Sequence, residues 1–118
     1  MRGDLERLLE RVDGGEPPEP ALLREAARAL GPAFPEATPP EPAGEEPLED
    51  VLRLIDACLP GWVITLHGTA TAPDGHWRCT LRRSERDDDA AIGHGYAPKV
   101  GGALLEALLR VALLRAPG

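Results

Sequence analysis

Two short segments in the second half of the chain place the strongest constraint on its fold. The first is Trp62–His67 and the second is His76–Arg82. In each segment apolar and polar residues alternate, which is the pattern of a β-strand with one buried face. Pro73-Asp74-Gly75 between them is typical of a turn, because proline presets φ, aspartate bonds the local backbone and glycine accepts positive φ. The sequence therefore predicts an antiparallel hairpin that carries both tryptophans.

The same alternation assigns the two faces of the hairpin. The face predicted to meet the core carries Trp62, Ile64, Leu66, Trp77, Cys79 and Leu81. The opposite face carries Val63, Thr65, His67, His76, Arg78, Thr80 and Arg82. We expect the two tryptophans to anchor a core beneath two apolar helices, since each ring brings a large apolar area. The polar face is expected to meet water or a partner.

Helical spacing of apolar residues predicts four helices. Asp4–Val12 and the segment opened by Pro20 form a helical hairpin, Glu49–Leu59 forms a third helix, and Pro98 opens the fourth. A weak third strand is predicted over residues 90–96, at an edge of the sheet because it contains two glycines. The predicted fold class is α+β. It has an antiparallel sheet of two to three strands with helices packed on one face, in the order α-β-β-(β)-α, preceded by an N-terminal helical hairpin.

Composition divides the chain into three parts. Residues 1–30 form a helical extension, residues 31–47 a linker rich in proline and glutamate, and residues 48–116 the core domain. Proline without periodic apolar residues favours an extended, solvated spacer. Two short helices have only marginal stability in isolation. The extension is therefore expected either to pack on the core domain or to bind elsewhere.

The distribution of charge limits the classes of partner. The net charge is −7, with 14 acidic and 6 basic residues in residues 1–60, against 6 acidic and 7 basic residues in residues 61–118. The acidic total disfavours general binding to nucleic acid, which depends on neutralising phosphates. No apolar run approaches the length of a membrane span, about 20 residues, and no apolar leader opens the chain. We expect a cytoplasmic protein with two reduced, buried thiols.

The polar strand face and the residues beside it supply a candidate site for a partner or an anion. Its members are Thr65, His67, Arg78, Arg82, His94 and Lys99. A cationic patch in an acidic protein favours an acidic partner protein, or the chain's own glutamate-rich linker, which needs nothing outside the chain. The open face or an edge strand would also suit a second copy in a C2 homodimer.

No catalytic arrangement, cofactor motif or metal site is predicted. His76 and Cys79 are three residues apart in a strand and point to opposite faces, so they do not converge on a metal. Asp87–Asp89 is interpreted as a solvated loop. Ser84 lacks the setting of a hydrolase nucleophile, and the apolar positions of Cys58 and Cys79 favour inert thiols.

The order of the elements carries one resemblance. Two helical segments and a proline-rich gap precede a helix, then Pro60-Gly61-Trp62, two strands and a terminal helix with Ala103, Ala107 and Ala112. This layout is similar to the small phage and prophage ABA-sandwich proteins. The resemblance implies the fold of that family and an origin in a mobile element, and it implies no activity.

A second resemblance is local. Gly93-His94-Gly95-Tyr96-Ala97-Pro98-Lys99 precedes an alanine-rich helix. This segment resembles the end of a double-stranded-RNA-binding domain, where a glycine-rich turn and basic residues at a helix N-terminus hold phosphates. Apart from this resemblance, His94 and Lys99 are candidates to meet an anion at the helix N-terminus. Because only Lys99 stands where several lysines occur in such domains, we interpret the likeness as shared fold geometry.

The leading hypothesis is a non-enzymatic protein-interaction or accessory domain with an unknown protein partner. The first alternative is a nucleic-acid-binding domain of the double-stranded-RNA-binding type that uses Arg78, Arg82, His94 and Lys99. The second alternative is an acidic inhibitor that imitates nucleic acid with its glutamate-rich front half.

Overall fold

The computed structural model describes residues 2–68, 77–83 and 92–115. The predicted turn at residues 73–75, His76 and the charged loop with Ser84 and Asp87–Asp89 lie outside the described residues. The elements in chain order are α1 (Arg2–Asp13), α2 (Pro20–Leu30), α3 (Pro47–Cys58), β1 (Val63–His67), β2 (Trp77–Arg82), β3 (Ile92–Ala97) and α4 (Val100–Arg115). The fold class is α+β, as predicted.

The three strands form one antiparallel sheet in the order β1-β2-β3. In the predicted hairpin, Ile64 lies opposite Leu81 and Leu66 lies opposite Cys79. The third strand also forms and is an edge strand, as expected, with Gly95 opposite Cys79. Because paired residues share a face, the register confirms that Ile64, Leu66, Cys79 and Leu81 lie on one side of the sheet.

Helix α4 lies on that inner side and is the centre of the fold. It packs on β2 and β3, while α1 and α3 pack against α4. Residues 101–109 are all buried, including the single charged residue among them, Glu106. A helix that is apolar around its whole circumference is typical of an element enclosed on all sides. The sheet alone would not suffice to cover α4, so the N-terminal helices complete its burial.

Two glycines in β3 allow α4 to approach the sheet closely. A Cβ atom at Gly95 would overlap the carbonyl oxygen of Ala103, and one at Gly93 would overlap the carbonyl oxygen of Ala107. Gly93 and Gly95 alternate with His94 and therefore share the inner face. The helix backbone thus contacts the strand backbone directly at two points, one turn of α4 apart.

The N-terminal helices share one apolar core with α4. The shared cluster includes Leu5, Leu8, Val12, Leu22, Leu23, Leu30, Leu104, Leu105 and Leu108. This contact answers the question that the sequence left open, since α1 packs on α4. Short helices that are marginal alone are stabilised here by tertiary burial.

The tryptophans have a smaller role than predicted. Trp62 and Trp77 are only partly buried and pack at the rim of the core. Among the described residues, α4 covers β2 and β3, whereas α3 packs mainly on α4 and α2. Leucine, valine and alanine of the helices form the centre instead. The prediction that both tryptophans anchor the core beneath two helices was wrong.

The proline-rich segment 31–47 is fastened to the helices. Phe34 is buried, and the Arg115 guanidinium lies 4.9 Å from the centre of its ring. The carboxylate of Asp50, which is buried in α3, accepts hydrogen bonds from the backbone N–H of Ala43 at 2.9 Å and of Gly44 at 3.0 Å. We call the two hydrogen bonds from Ala43 and Gly44 to Asp50 the Asp50 clasp. The expectation of a solvated spacer is therefore wrong at Phe34 and at this clasp.

Replacing Gly95 with alanine tests the close contact between α4 and β3. The added methyl group would meet backbone rather than a flexible side chain, so the helix or the strand must shift. We expect Gly95→Ala to lower the free energy of unfolding by about 1–3 kcal/mol in chemical denaturation. Gly3→Ala is the control, because nothing lies near that position; a loss of stability as large as that of Gly95→Ala would contradict this account.

The Asp50 clasp predicts sensitivity to acid. The two backbone N–H donors hold the pKa of Asp50 below its usual range, with Arg53 adding to the effect. The folded carboxylate therefore contributes stability above the ordinary pKa of aspartate, and this contribution is lost as pH falls through the lowered pKa. Asp50→Ala should accelerate amide hydrogen exchange at Ala43 and Gly44 at neutral pH.

The exposed Asp56 on the same helix gives the matched control for the clasp. Asp56→Ala should leave exchange at Ala43 and Gly44 unchanged. Equal acceleration in both variants would show that Asp50 acts through the helix as a whole and not through its two hydrogen bonds.

Candidate functional site

The outer side of the sheet, opposite α4, is the candidate site. The register aligns its side chains in rows that cross the strands. His67, Arg78 and Tyr96 form one row, and Thr65, Thr80 and His94 form the next. Val63 and Arg82 lie opposite each other in the third. We call these eight residues the outer face.

Five of the six predicted site residues belong to the outer face. They are Thr65, His67, Arg78, Arg82 and His94. His67, Arg78 and His94 are exposed, and Thr65 and Arg82 are half-buried. Arg78 and Arg82 are four residues apart on β2, which places their Cα atoms about 13 Å apart along the strand.

Lys99 lies in a different part of the surface. It precedes the first residue of α4, and its carbonyl accepts the N–H of Ala103. It lines an apolar cavity of about 220 Å³ together with Pro17, Pro18 and Pro98. The structure therefore does not bring Lys99 into the rows that contain Arg78 and His94.

The Gly93-His94-Gly95 segment is not a turn. All three residues lie within β3, and the glycines face α4, whose backbone would meet any Cβ atom there. The edge strand predicted over residues 90–96 therefore accounts for this segment, and strand glycines that admit a helix carry the same sequence pattern as a glycine-rich turn. His94 remains a candidate through its exposure on the outer face.

Sequence reasoning missed Tyr96 as a site residue. It lies opposite Arg78 in the register and 52% of its surface is exposed. The sequence could have identified Tyr96, since residues two apart in a strand share a face and Tyr96 therefore lies on the same face as His94. The row His67–Arg78–Tyr96 thus combines an aromatic ring, a guanidinium and an imidazole on one surface.

The glutamate-rich linker, residues 31–47, forms an ion pair with a helix and not with the outer face. Glu41 pairs with Arg24 of α2 at 2.5 Å, and the backbone of Ala43 and Gly44 is held by Asp50 of α3. These contacts fasten the linker to the helical side of the molecule. In the described residues the linker therefore contacts α2 and α3, and these contacts do not support the hypothesis that it docks on the sheet.

An ion pair on α4 between the buried Glu106 and the partly exposed Arg110 supports the outer edge of β3. The N–H of Tyr96 donates to Oε1 of Glu106 at 3.4 Å, and Nη1 of Arg110 donates to the carbonyl oxygen of His94 at 2.5 Å. Glu106 and Arg110 are 3.3 Å apart and one helical turn apart. The backbone between His94 and Tyr96 is thus held by two side chains of the same helix.

Glu106 is the most unusual charged group among the described residues. It is completely buried, and its Oε2 has no hydrogen-bond partner. Burial raises the pKa of this carboxyl above its usual range, and the nearby charge of Asp13 adds to the rise. The N–H of Tyr96 and the charge of Arg110 act in the opposite direction. The net direction indicates that desolvation outweighs these two partners.

The cysteines are unpaired and buried. Burial raises the pKa of Cys58 to about 11 and that of Cys79 to about 12. Both thiols are therefore protonated at neutral pH and are poor nucleophiles. Within residues 2–68, 77–83 and 92–115, no group of three or more histidine, cysteine or acidic side chains is placed to hold a metal ion.

Comparisons with known proteins define no class for this chain. No protein-family model, curated protein or solved structure matches it. The resemblances to phage ABA-sandwich proteins and to double-stranded-RNA-binding domains therefore stay predictions. In the described part of the chain, no helix combines the length and apolar character needed to cross a membrane.

The burial of Glu106 predicts that its contribution to the free energy of unfolding falls as pH rises, which is opposite to the usual behaviour of a paired carboxylate. Below its ordinary pKa near 4.5 the carboxyl is neutral in both the folded and the unfolded chain. As pH rises, the unfolded carboxyl loses its proton first, so stability falls until the pH passes the raised folded pKa. Glu106→Gln removes this decline and keeps an oxygen for the Tyr96 N–H. The variant should therefore gain stability relative to the wild type as pH rises above the ordinary pKa of 4.5.

Chemical denaturation at a series of pH values measures that difference. Glu10→Gln, at an exposed position on α1, is the control and should follow the wild-type profile. If the Glu106→Gln and wild-type profiles run parallel across this range, the carboxyl does not titrate between them and the burial argument fails.

Proposed function

We propose that this protein is a non-enzymatic protein-interaction domain that binds an acidic segment of a partner protein on its outer face. The observation that carries the proposal is the row His67–Arg78–Tyr96, which spans all three strands and is not covered by a described helix. Arginine and tyrosine are among the residues that most often dominate the energy of protein interfaces. The row supplies both of them side by side.

The charges on the outer face favour an acidic partner. The face contains Arg78 and Arg82 and no acidic residue, while the whole chain carries a net charge of −7. This separation would steer an acidic partner towards the sheet and away from the helices. Because the two arginines lie along one strand, they would match carboxylates about 13 Å apart in an extended segment.

The nucleic-acid alternative has less support from the geometry. Arg78, Arg82 and His94 share the outer face, but Lys99 lies elsewhere. Two arginines neutralise few phosphates, so they would give weak binding with a shallow dependence on salt. The acidic-inhibitor alternative would use the front half of the chain and would leave the outer face without a role.

Titration with synthetic extended peptides tests the proposal. The probes carry two glutamates four residues apart, two glutamates two residues apart, or two lysines four residues apart. We expect the first probe to bind most tightly by fluorescence anisotropy and the lysine probe not to bind. Arg78→Glu and Tyr96→Ala should each weaken binding of the first probe by about tenfold or more.

Arg28→Glu is the matched control, since Arg28 is exposed on α2, away from the sheet. It makes the same change of net charge as Arg78→Glu and should leave binding nearly unchanged. Equal weakening by both variants would show that only net charge matters and would overturn the assignment to the outer face. Tight, steeply salt-dependent binding of duplex RNA or DNA, lost in Arg78→Glu, would replace the proposal with the nucleic-acid alternative.

A further inference from the structure

The two edges of the sheet differ in their contacts with the rest of the molecule. At the β3 edge, Glu106 accepts the N–H of Tyr96 and Arg110 donates to the carbonyl oxygen of His94. Helix α4 thus occupies one donor and one acceptor among the groups that another strand would need for pairing. In the described part of the chain, no strand or helix gives β1 an equivalent cover on its far side.

The contacts at β3 also show which groups of β1 face outward. In an antiparallel sheet the N–H and C=O groups of one residue point to the same neighbour, and successive residues alternate. Since His94 and Tyr96 point away from β2, their partners Thr80 and Arg78 point towards β1. Their partners on β1 are Thr65 and His67, which bond β2. Consequently Ile64 and Leu66 direct their backbone groups to the open edge.

The same two residues carry exposed apolar side chains. Ile64 is 37% exposed and Leu66 is 42% exposed, although both lie on the inner side of the sheet. Their exposure follows from the position of α4, which packs on β2 and β3. β1 contains no acidic residue, lysine, arginine or proline, and these are the features that natural proteins use to block an edge strand.

We propose that two copies of this chain associate through β1 to form a C2 homodimer with a continuous six-stranded sheet. The two β1 strands run antiparallel about an axis at Thr65, so that Thr65 faces Thr65 of the second copy. Ile64 then lies opposite Leu66 of the second copy, and the reverse pair is identical by symmetry. Both pairs exchange N–H and C=O bonds, giving four hydrogen bonds in total.

The sequence of β1 favours a second copy over a different partner. Val-Ile-Thr-Leu-His keeps apolar residues at the second and fourth positions in either direction. The antiparallel register therefore sets apolar side chains opposite apolar side chains and His67 opposite Val63, with no like charges facing each other. The sheet half of the chain is also nearly neutral, with 6 acidic and 7 basic residues in residues 61–118, so two copies meet there with little repulsion.

Sedimentation over a range of protein concentrations tests the dimer. The wild-type chain should shift from 12.6 kDa towards twice that mass in the micromolar range, since small interfaces below about 1,200 Å² are typical of weak association. Leu66→Glu should weaken association by about tenfold or more, because it places charge on the apolar pair. Leu114→Glu is the control, at a position 63% exposed near the end of α4, and it should dimerise like the wild type.

Disulfide trapping gives an independent readout should Leu66→Glu fail to fold. Directly opposed residues of a non-hydrogen-bonded antiparallel pair have Cα atoms about 4.5 Å apart, within the range that a disulfide spans. Thr65→Cys should therefore form a covalent dimer under mild oxidation. Val63→Cys should not, since Val63 faces His67 of the second copy.

The outcomes separate cleanly. A wild-type chain that stays monomeric at every concentration, with no trapping of Thr65→Cys, overturns the proposal. Equal trapping of Thr65→Cys and Val63→Cys indicates random collision and also overturns it. The inference does not depend on the proposed function, because Arg78→Glu should leave the dimer intact while weakening peptide binding.

Discussion

The direct contact between α4 and β3 is the constraint on which the rest of the structure depends. Gly93 and Gly95 remove the side chains that would otherwise separate the helix from the strand, so the backbone of α4 lies against the sheet. A helix this close is enclosed by the sheet on one side and must be enclosed by other helices on the rest. The all-round apolar character of α4 and its burial over residues 101–109 are two consequences of that position.

The position of α4 also explains the uneven burial of the sheet. By lying over β2 and β3, the helix buries Cys79 and Leu81 completely and leaves their register partners on β1 exposed. The tryptophans then fall at the margin of the core. The molecule is therefore best described as an aliphatic helical core with a sheet attached on one side. Among residues 2–68, 77–83 and 92–115, the β1 edge and the outer face are the parts of the sheet that no described helix covers.

Local patterns in the sequence predicted the elements but not their contacts. The alternation in Trp62–His67 and the apolar spacing around Leu104 depend on neighbours a few residues away, and both predictions were confirmed. Gly93 and Gly95 were placed in an edge strand, but their role in admitting the helix was not predicted, because a glycine that permits a turn and a glycine that admits a helix look identical without the helix in place. The face shared by Arg78, Arg82 and His94 was predictable from strand period, whereas the separation of Lys99 depended on where α4 begins.

The roles of the buried carboxyls Asp50 and Glu106 were the feature of the structure that the sequence predicted least. Asp50 and Glu106 stand among ordinary helical positions, and nothing in their local sequence distinguishes them from exposed carboxyls such as Asp56. Their burial comes from segments distant in the sequence: Ala43 and Gly44 for Asp50, and β3 for Glu106. The two environments act in opposite directions on the pKa, because Asp50 receives two backbone donors whereas Glu106 is desolvated with one oxygen unpaired.

A buried carboxyl with an unpaired oxygen is costly, so its place in the structure needs a physical reason. An apolar residue at position 106 would bury well, but it would leave the N–H of Tyr96 without its acceptor and Arg110 without its ion pair. Those two contacts are what close the β3 edge. In the described part of the chain β1 has no corresponding contact, so the β1 side is where we propose that the sheet extends. The helix that encloses the core therefore also sets the direction in which the sheet can grow.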